Sequence, residues 1–276
     1  MHIKNYAVGE RQMKVTWYGT ASLIIEHEGT VIAVDPFLNF PYDRKVDHSE
    51  LAEKAFQRAQ SVLVTHGHFD HIYNIPHIYR DMPVKVYCTG TPAKSLINNG
   101  LAEEKICRIH AGDVFSIGSL HIKAFQSKHV SIDFGAVLLA LKRLSSVKKF
   151  VHACRIGLVQ KELPEAGEIL AFEIDDGNAK LMIMGSIGYR RELEYPKNIN
   201  TLILAFQGKK WLDEDALKIV RGIEPSEVFL YHYDDSFPPI SHRVNTEVFI
   251  NIMKEKHPDV TVKEIEFNKE ITIGPA

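Results

Sequence analysis

Three histidines and one aspartate stand within the run Thr65-His66-Gly67-His68-Phe69-Asp70-His71, directly after the apolar stretch Val62-Leu63-Val64. An unbroken apolar stretch of this length reads as a buried strand, 61–65. Few folds end a buried strand on a cluster of imidazoles, so this feature constrains the chain more than any other. Histidine makes up only 14 of 276 residues, and chance seldom writes H-x-H-x-D-H. A tight turn at Gly67 lets His66 and His68 aim at one point. Asp70 and His71 then open a helix and aim at a neighbouring point. Imidazole and carboxylate together suit zinc, manganese or iron. Two adjacent metals can share one activated water, the nucleophile of many binuclear hydrolases.

Around the motif the chain reads as short strands and turns. Strands are expected at 13–18, 22–26 and 31–34, with turns at Gly19-Thr20 and Glu28-Gly29. Asp35-Pro36 stops the pairing, because proline has no N–H to give. A helix follows at 49–60, then the motif strand, a strand at 84–88, and a helix at 91–99 capped by Thr91 with Pro92 in its first turn. Further strands are expected at 105–109, 113–117, 120–127 and 135–141. Residues 142–167 break this rhythm. They mix basic residues with His152, Cys154 and Pro164 and read as an insertion, a candidate lid over the site. A hairpin joins 168–174 to 180–184 across Asp175-Asp176-Gly177-Asn178. Strand, helix, strand, helix follow at 201–206, 213–221, 227–231 and 244–254, and 260–266 closes as a strand. The expected fold is α+β, two sheets face to face with helices outside, in one domain spanning 1–276.

The run Thr65–His71 resembles the signature of the metallo-β-lactamase superfamily. Trp17-Tyr18-Gly19-Thr20-Ala21-Ser22, followed by Val34-Asp35-Pro36-Phe37, resembles the opening strands of its branch that includes L-ascorbate-6-phosphate lactonase. The resemblance implies a four-layer αββα sandwich with the site at the edge between the sheets. It implies His129 as the third ligand of a first metal with His66 and His68, and His232 as a ligand of a second with Asp70 and His71. It places Asp35 beneath the metals, orienting their imidazoles. One or two divalent ions are expected, Zn2+ first, with Mn2+ and Fe2+ as alternatives. The implied activity is hydrolysis of an ester, lactone or phosphodiester of a small molecule by metal-activated water, with Asp70 or Asp234 managing the proton.

One position departs from the family. Where it carries a bridging aspartate, this chain has Met184-Gly185-Ser186-Ile187-Gly188. The Ser186 hydroxyl brings no charge to hold two cations together. Asp234 and Asp235, directly after His232, are the carboxylates that can approach the second metal by another route.

Composition bounds the rest. A net charge of -2 exerts no global pull on nucleic acid or an anionic membrane, although 33 lysines and arginines leave room for a local basic patch. This weighs against a nuclease, the first alternative, which calls for a basic cleft. The second alternative is a non-catalytic metal- or ligand-binding regulator. No apolar run has transmembrane length, and the opening residues lack a signal-peptide pattern. Cys88, Cys107 and Cys154 read as ordinary thiols of a reducing compartment. A cytoplasmic location is expected.

Overall fold

A computed structural model of the chain describes residues 12–39, 47–130, 142–163, 166–209, 211–238 and 240–275. Two seven-stranded sheets face each other. The first runs, in chain order, β1 (Met13–Trp17), β2 (Leu23–His27), β3 (Thr30–Val34), β4 (Ser61–Leu63), β5 (Lys85–Cys88) and β6 (Ile106–Arg108), with a seventh strand from later in the chain paired to β1. The second runs β7 (Val114–Ile117), β8 (Leu120–Gln126), β9 (Leu170–Asp175), β10 (Lys180–Met184), β11 (Thr201–Ala205), β12 (Glu227–Tyr231) and β13 (Thr261–Glu264). Both follow one plan: antiparallel hairpins first, then parallel strands. Parallel strands need crossovers, most of which are helical.

Helices cover both outer faces. The first sheet carries α1 (Asp47–Phe56), the short α2 (Phe69–Ile72), α3 (Ile75–Tyr79) and α4 (Gly90–Asn98). Phe56, Ile75, Ile78 and Leu96 pack there against Ile24, Ala33 and Val62. The second sheet carries α6 (Asp213–Ile223) and α7 (Glu247–Lys256), which bury Ile219, Ile223, Phe249 and Met253. Between the sheets lie Val15, Leu23, Ile32, Leu63, Phe172, Ile183 and Ile203, all fully buried. This is the expected αββα sandwich.

Local chemistry sets the hairpins. Glu28 and Gly29 both have positive φ (46° and 79°), the backbone of the tight two-residue turn whose twist matches paired strands. In the β9–β10 turn, Asp176 Oδ1 accepts the N–H groups of Asn178 (2.8 Å) and Ala179 (2.7 Å).

Three expectations are corrected. The strand at 260–266 does not close the chain: β14 (Glu270–Ile273) crosses to the first sheet and pairs with β1. The helix expected at 91–99 begins one residue earlier, with Thr89 at its cap position. Its side chain makes no cap bond, because the Thr89 hydroxyl donates to the Glu168 carbonyl (3.4 Å). Within 142–167 lies a 16-residue helix, α5 (Val147–Glu162), which Ser146 caps by accepting Lys149 N–H. The strand expected at 135–141 lies outside the described residues. Among the described residues, no helix is long and apolar enough to cross a membrane.

Candidate metal centre

The site lies where β3, β4, β10 and β12 end, in the loops at their carboxyl ends, as ligand sites of parallel sheets usually do. His66 and His68 follow β4, and His68 is the residue before α2, which carries Asp70 and His71. His129 follows β8 and His232 follows β12. Two strand ends turn sharply: Asp35 and His232 have φ of 46° and 58°, a left-handed conformation that non-glycine residues adopt only where surroundings enforce it.

Six side chains converge in two sets. His66, His68 and His129 bring one nitrogen each within 4.8 Å of one another, and Asp70, His71 and His232 do the same with one donor each. The sets adjoin, since the His66 and His71 rings lie 3.8 Å apart.

Three of the five imidazoles, those of His66, His71 and His129, are held from behind, through Nδ1. His71 Nδ1 donates to Asp35 Oδ2 (2.8 Å). Asp35 is itself fully buried and accepts Thr65 N–H on Oδ1 (2.8 Å) and the Thr65 hydroxyl on Oδ2 (2.5 Å). The same Thr65 oxygen lies 3.0 Å from His66 Nδ1. With its proton given to Asp35, it is free to accept from that ring. His129 Nδ1 donates to the Val130 carbonyl (2.7 Å). These bonds select the tautomer that leaves Nε2 bare. His66 Nε2 is buried without a hydrogen-bond partner. A buried bare nitrogen is costly, and a cation is what removes that cost. The donor set, imidazole with one carboxylate, fits a divalent metal.

The electrostatics divide the two sets. Burial and the surrounding imidazoles hold His66 well below the ordinary histidine value. Burial, with His129 beside it, brings His68 down to about 4. Burial also lowers His129. These three stand neutral at pH 7, lone pairs ready. Burial acts the same way on His232, but Asp234 and Asp70 outweigh it and push this residue up to about 9. For Asp70, burial favours the neutral acid, yet His71 and His232 hold it well below the usual carboxylate range. Asp70 Oδ2 lies 3.3 Å from His232 Nε2 and 3.8 Å from His71 Nε2.

Three expected residues have other partners than those foreseen. Asp234 is not aimed at the second set: its Oδ1 lies 3.9 Å from His232 Nδ1, at the rear of the ring, and Oδ2 accepts Thr20 N–H (3.1 Å) and the Ser236 hydroxyl. Asp235 turns away altogether, to Arg143 (2.5 Å) and the Ser241 hydroxyl (2.8 Å). Its charge is spent fastening the segment that leads into α5. Ser186 Oγ accepts Val130 N–H (3.0 Å), so this hydroxyl steadies the loop that carries His129.

Sequence reasoning missed the supports. Thr65 joins Asp35 to His66. A Cβ on Gly185 would stand 2.4 Å from the Thr65 hydroxyl, and one on Gly188 2.4 Å from the Lys128 carbonyl. Only glycine allows these approaches, and the Gly185/Gly188 pair was the signal for them. Gln207 clamps the stretch after His232, donating to the carbonyls of Asp234 (3.1 Å) and His242 (2.8 Å). The insertion joins the centre through Gly67 N–H, which donates to the Ala166 carbonyl (2.7 Å).

Comparison with known proteins bears on the family and the fold. Residues 14–232 match the family model described as the beta-lactamase superfamily domain. A UPF0173 protein of Pyrococcus abyssi is 30% identical over 137 residues, 48% of this chain and 58% of that protein. The match therefore spans little more than half the length of that curated relative. Igni18, a metallo hydrolase from Ignicoccus hospitalis, superposes with a TM-score of 0.64 at 21% identity, over 95% of this chain and 98% of that one. YhfI of Bacillus subtilis, a metallo-beta-lactamase fold protein, gives 0.65 at 12% identity over 95% and 99%. At such identities the two structures speak for the fold alone.

Proposed function

The chain belongs to the beta-lactamase superfamily domain family, and from that premise we propose that it is a metal-dependent hydrolase holding two divalent cations. His66, His68 and His129 hold the first, and Asp70, His71 and His232 the second. The observation that carries this reading is the bare, buried His66 Nε2 among donors that converge in two sets. Zinc suits the imidazole-rich first set best, and manganese or iron suits the second, which includes a carboxylate.

A cation held there supplies an activated water and a Lewis acid for the substrate's electrophile. The chain supplies the rest. Asp35 and Thr65 fix the rings of His71 and His66 so that only Nε2 faces the site. Asp234 stands behind His232, its Oδ1 3.9 Å from Nδ1, and acts on that ring by its charge rather than by a hydrogen bond. Asp70 is so strongly acidic that it serves as a ligand rather than as a proton store. Both carboxylates expected to manage the proton thus become holders, and no residue of the chain is assigned to that step.

The substrate class we propose is a small ester, lactone or phosphodiester, in line with the likeness of residues 17–22 and 34–37 to the lactonase branch. The test is a metal-analysed preparation screened against lactones, phosphodiesters and thioesters, beside His68→Ala. Hydrolysis is expected in the wild type, lost on chelation, restored by metal, and absent in the variant while the fold persists. Activity at the wild-type level in His68→Ala would exclude the metal as catalyst.

A further inference from the structure

We propose that helix α5 is a docking element for the surface of an anionic lipid bilayer. This inference stands on the helix alone and is independent of the hydrolase reading. The helix carries four basic residues, Lys148, Lys149, Arg155 and Lys161, against one acidic residue, Glu162; Lys142 precedes it, and Arg143 beside it is paired with Asp235. The chain as a whole carries -2, so its net charge conceals a locally basic segment.

The same helix exposes apolar side chains. Val147 is 79% exposed, Phe150 57%, Val151 42% and Leu158 60%, and Cys154 is exposed among them. At about 100° per residue these five fall within one arc of roughly 100°. The opposite arc holds Ile156 and Val159, which are buried and, with Leu163, join the cluster containing Phe69 and Phe237. The helix is thus seated by one face and presents a second apolar face to solvent. Lys148 and Arg155, seven residues apart, border that face, and Lys161 stands at its C-terminal end. Val147, Lys148, Val151, His152 and Arg155 line an open depression along this border.

Charge chooses the occupant. A second copy of the helix would set like charges against like. A nucleic acid would meet the lysines but has no use for an aliphatic and aromatic stripe. An anionic bilayer satisfies both features: phosphate headgroups meet the bases, whose aliphatic stems lie along the surface, and the acyl boundary takes the stripe. A helix of 16 residues lies in the interface without spanning it.

The test is co-sedimentation of the full chain with vesicles of phosphatidylcholine alone and with one-third phosphatidylglycerol. Binding is expected on the anionic vesicles at low salt, with release at high salt and none on neutral vesicles. Phe150→Ser should weaken it about tenfold and Lys148→Gln about fivefold. Both side chains are exposed, so circular dichroism and metal content should stay as in the wild type. The proposal fails if anionic vesicles do not bind, or if neither substitution changes binding. It fails equally if anisotropy finds the helix on RNA or DNA instead, or if sedimentation velocity finds a dimer that Phe150→Ser dissociates.

Discussion

His232 and Asp234 face each other across 3.9 Å, Nδ1 to Oδ1, and neither atom has a hydrogen-bond partner. The other Asp234 oxygen is anchored by Thr20 N–H, in the turn between β1 and β2. One carboxylate therefore links the first hairpin of one sheet to the last histidine of the site on the other. Thr20 takes a positive φ of 44° there, and the Gly19 position lies against the same carboxylate.

Asp234→Asn should lower metal affinity at the second set by about 10- to 100-fold, the usual effect of removing a carboxylate behind a ligand imidazole. The first set, on other loops, should keep its affinity. Calorimetric titration resolves the two. Equal weakening at both would mean that Asp234 supports the fold rather than His232.

The pH dependence should separate the two sets. A metal ligand must be unprotonated. His232 carries a proton up to about pH 9 in the metal-free chain, so second-set affinity should fall about tenfold for each unit below that value. His68, brought down to about 4, gives no such slope between pH 8 and 6. Binding at the second set at pH 7 should release close to one proton, measurable by calorimetry in buffers of different ionisation enthalpy. Parallel slopes for both sets would refute the assignment.

Much of this was legible in the sequence because strand ends announce themselves. The stretch Val62-Leu63-Val64 and the H-x-H-x-D-H run locate the edge, and the hairpins at Glu28-Gly29 and Asp175–Asn178 follow from turn chemistry. Side-chain direction was not legible. Asp234 and Asp235 are neighbours with one composition and opposite fates, decided by Thr20, Ser236 and Arg143, which lie far away or out of pattern. β14 escaped because Glu270–Ile273 is short and half exposed, and its partner, β1, lies at the other end of the chain. Helix α5 escaped because it is apolar on two faces, which blurs the single stripe by which a surface helix is recognised.

Gly185→Ala should destabilise the protein by about 1–3 kcal/mol, the usual range for overpacking. The new methyl would meet a Thr65 hydroxyl already bonded to Asp35 and His66, which cannot swing aside without releasing both. Gly157→Ala, inside α5 with open space around it, should stabilise by up to about 1 kcal/mol. Urea midpoints of the two variants against the wild type give both signs.

Ser186→Asp tests the departure from the family pattern. Ordinarily a carboxylate there offsets the repulsion of two dications about 3.5–4 Å apart. In its place, the Ser186 hydroxyl accepts Val130 N–H and so braces the His129 loop. An aspartate can keep that bond, since one carboxylate oxygen takes the N–H while the other adds a negative charge to the site. The wild type should therefore bind its two metals unequally: the first tightly, on neutral imidazoles, and the second weakly, against a protonated His232 and without a bridging charge. Ser186→Asp should tighten the second and narrow the gap. Ser186→Ala should instead loosen the His129 loop by removing the acceptor for Val130 N–H, and weaken the first metal. The opposite directions of these effects distinguish a missing charge from a missing brace. Two equally tight metals in the wild type, unchanged in Ser186→Asp, would mean that a residue other than position 186 already bridges the pair.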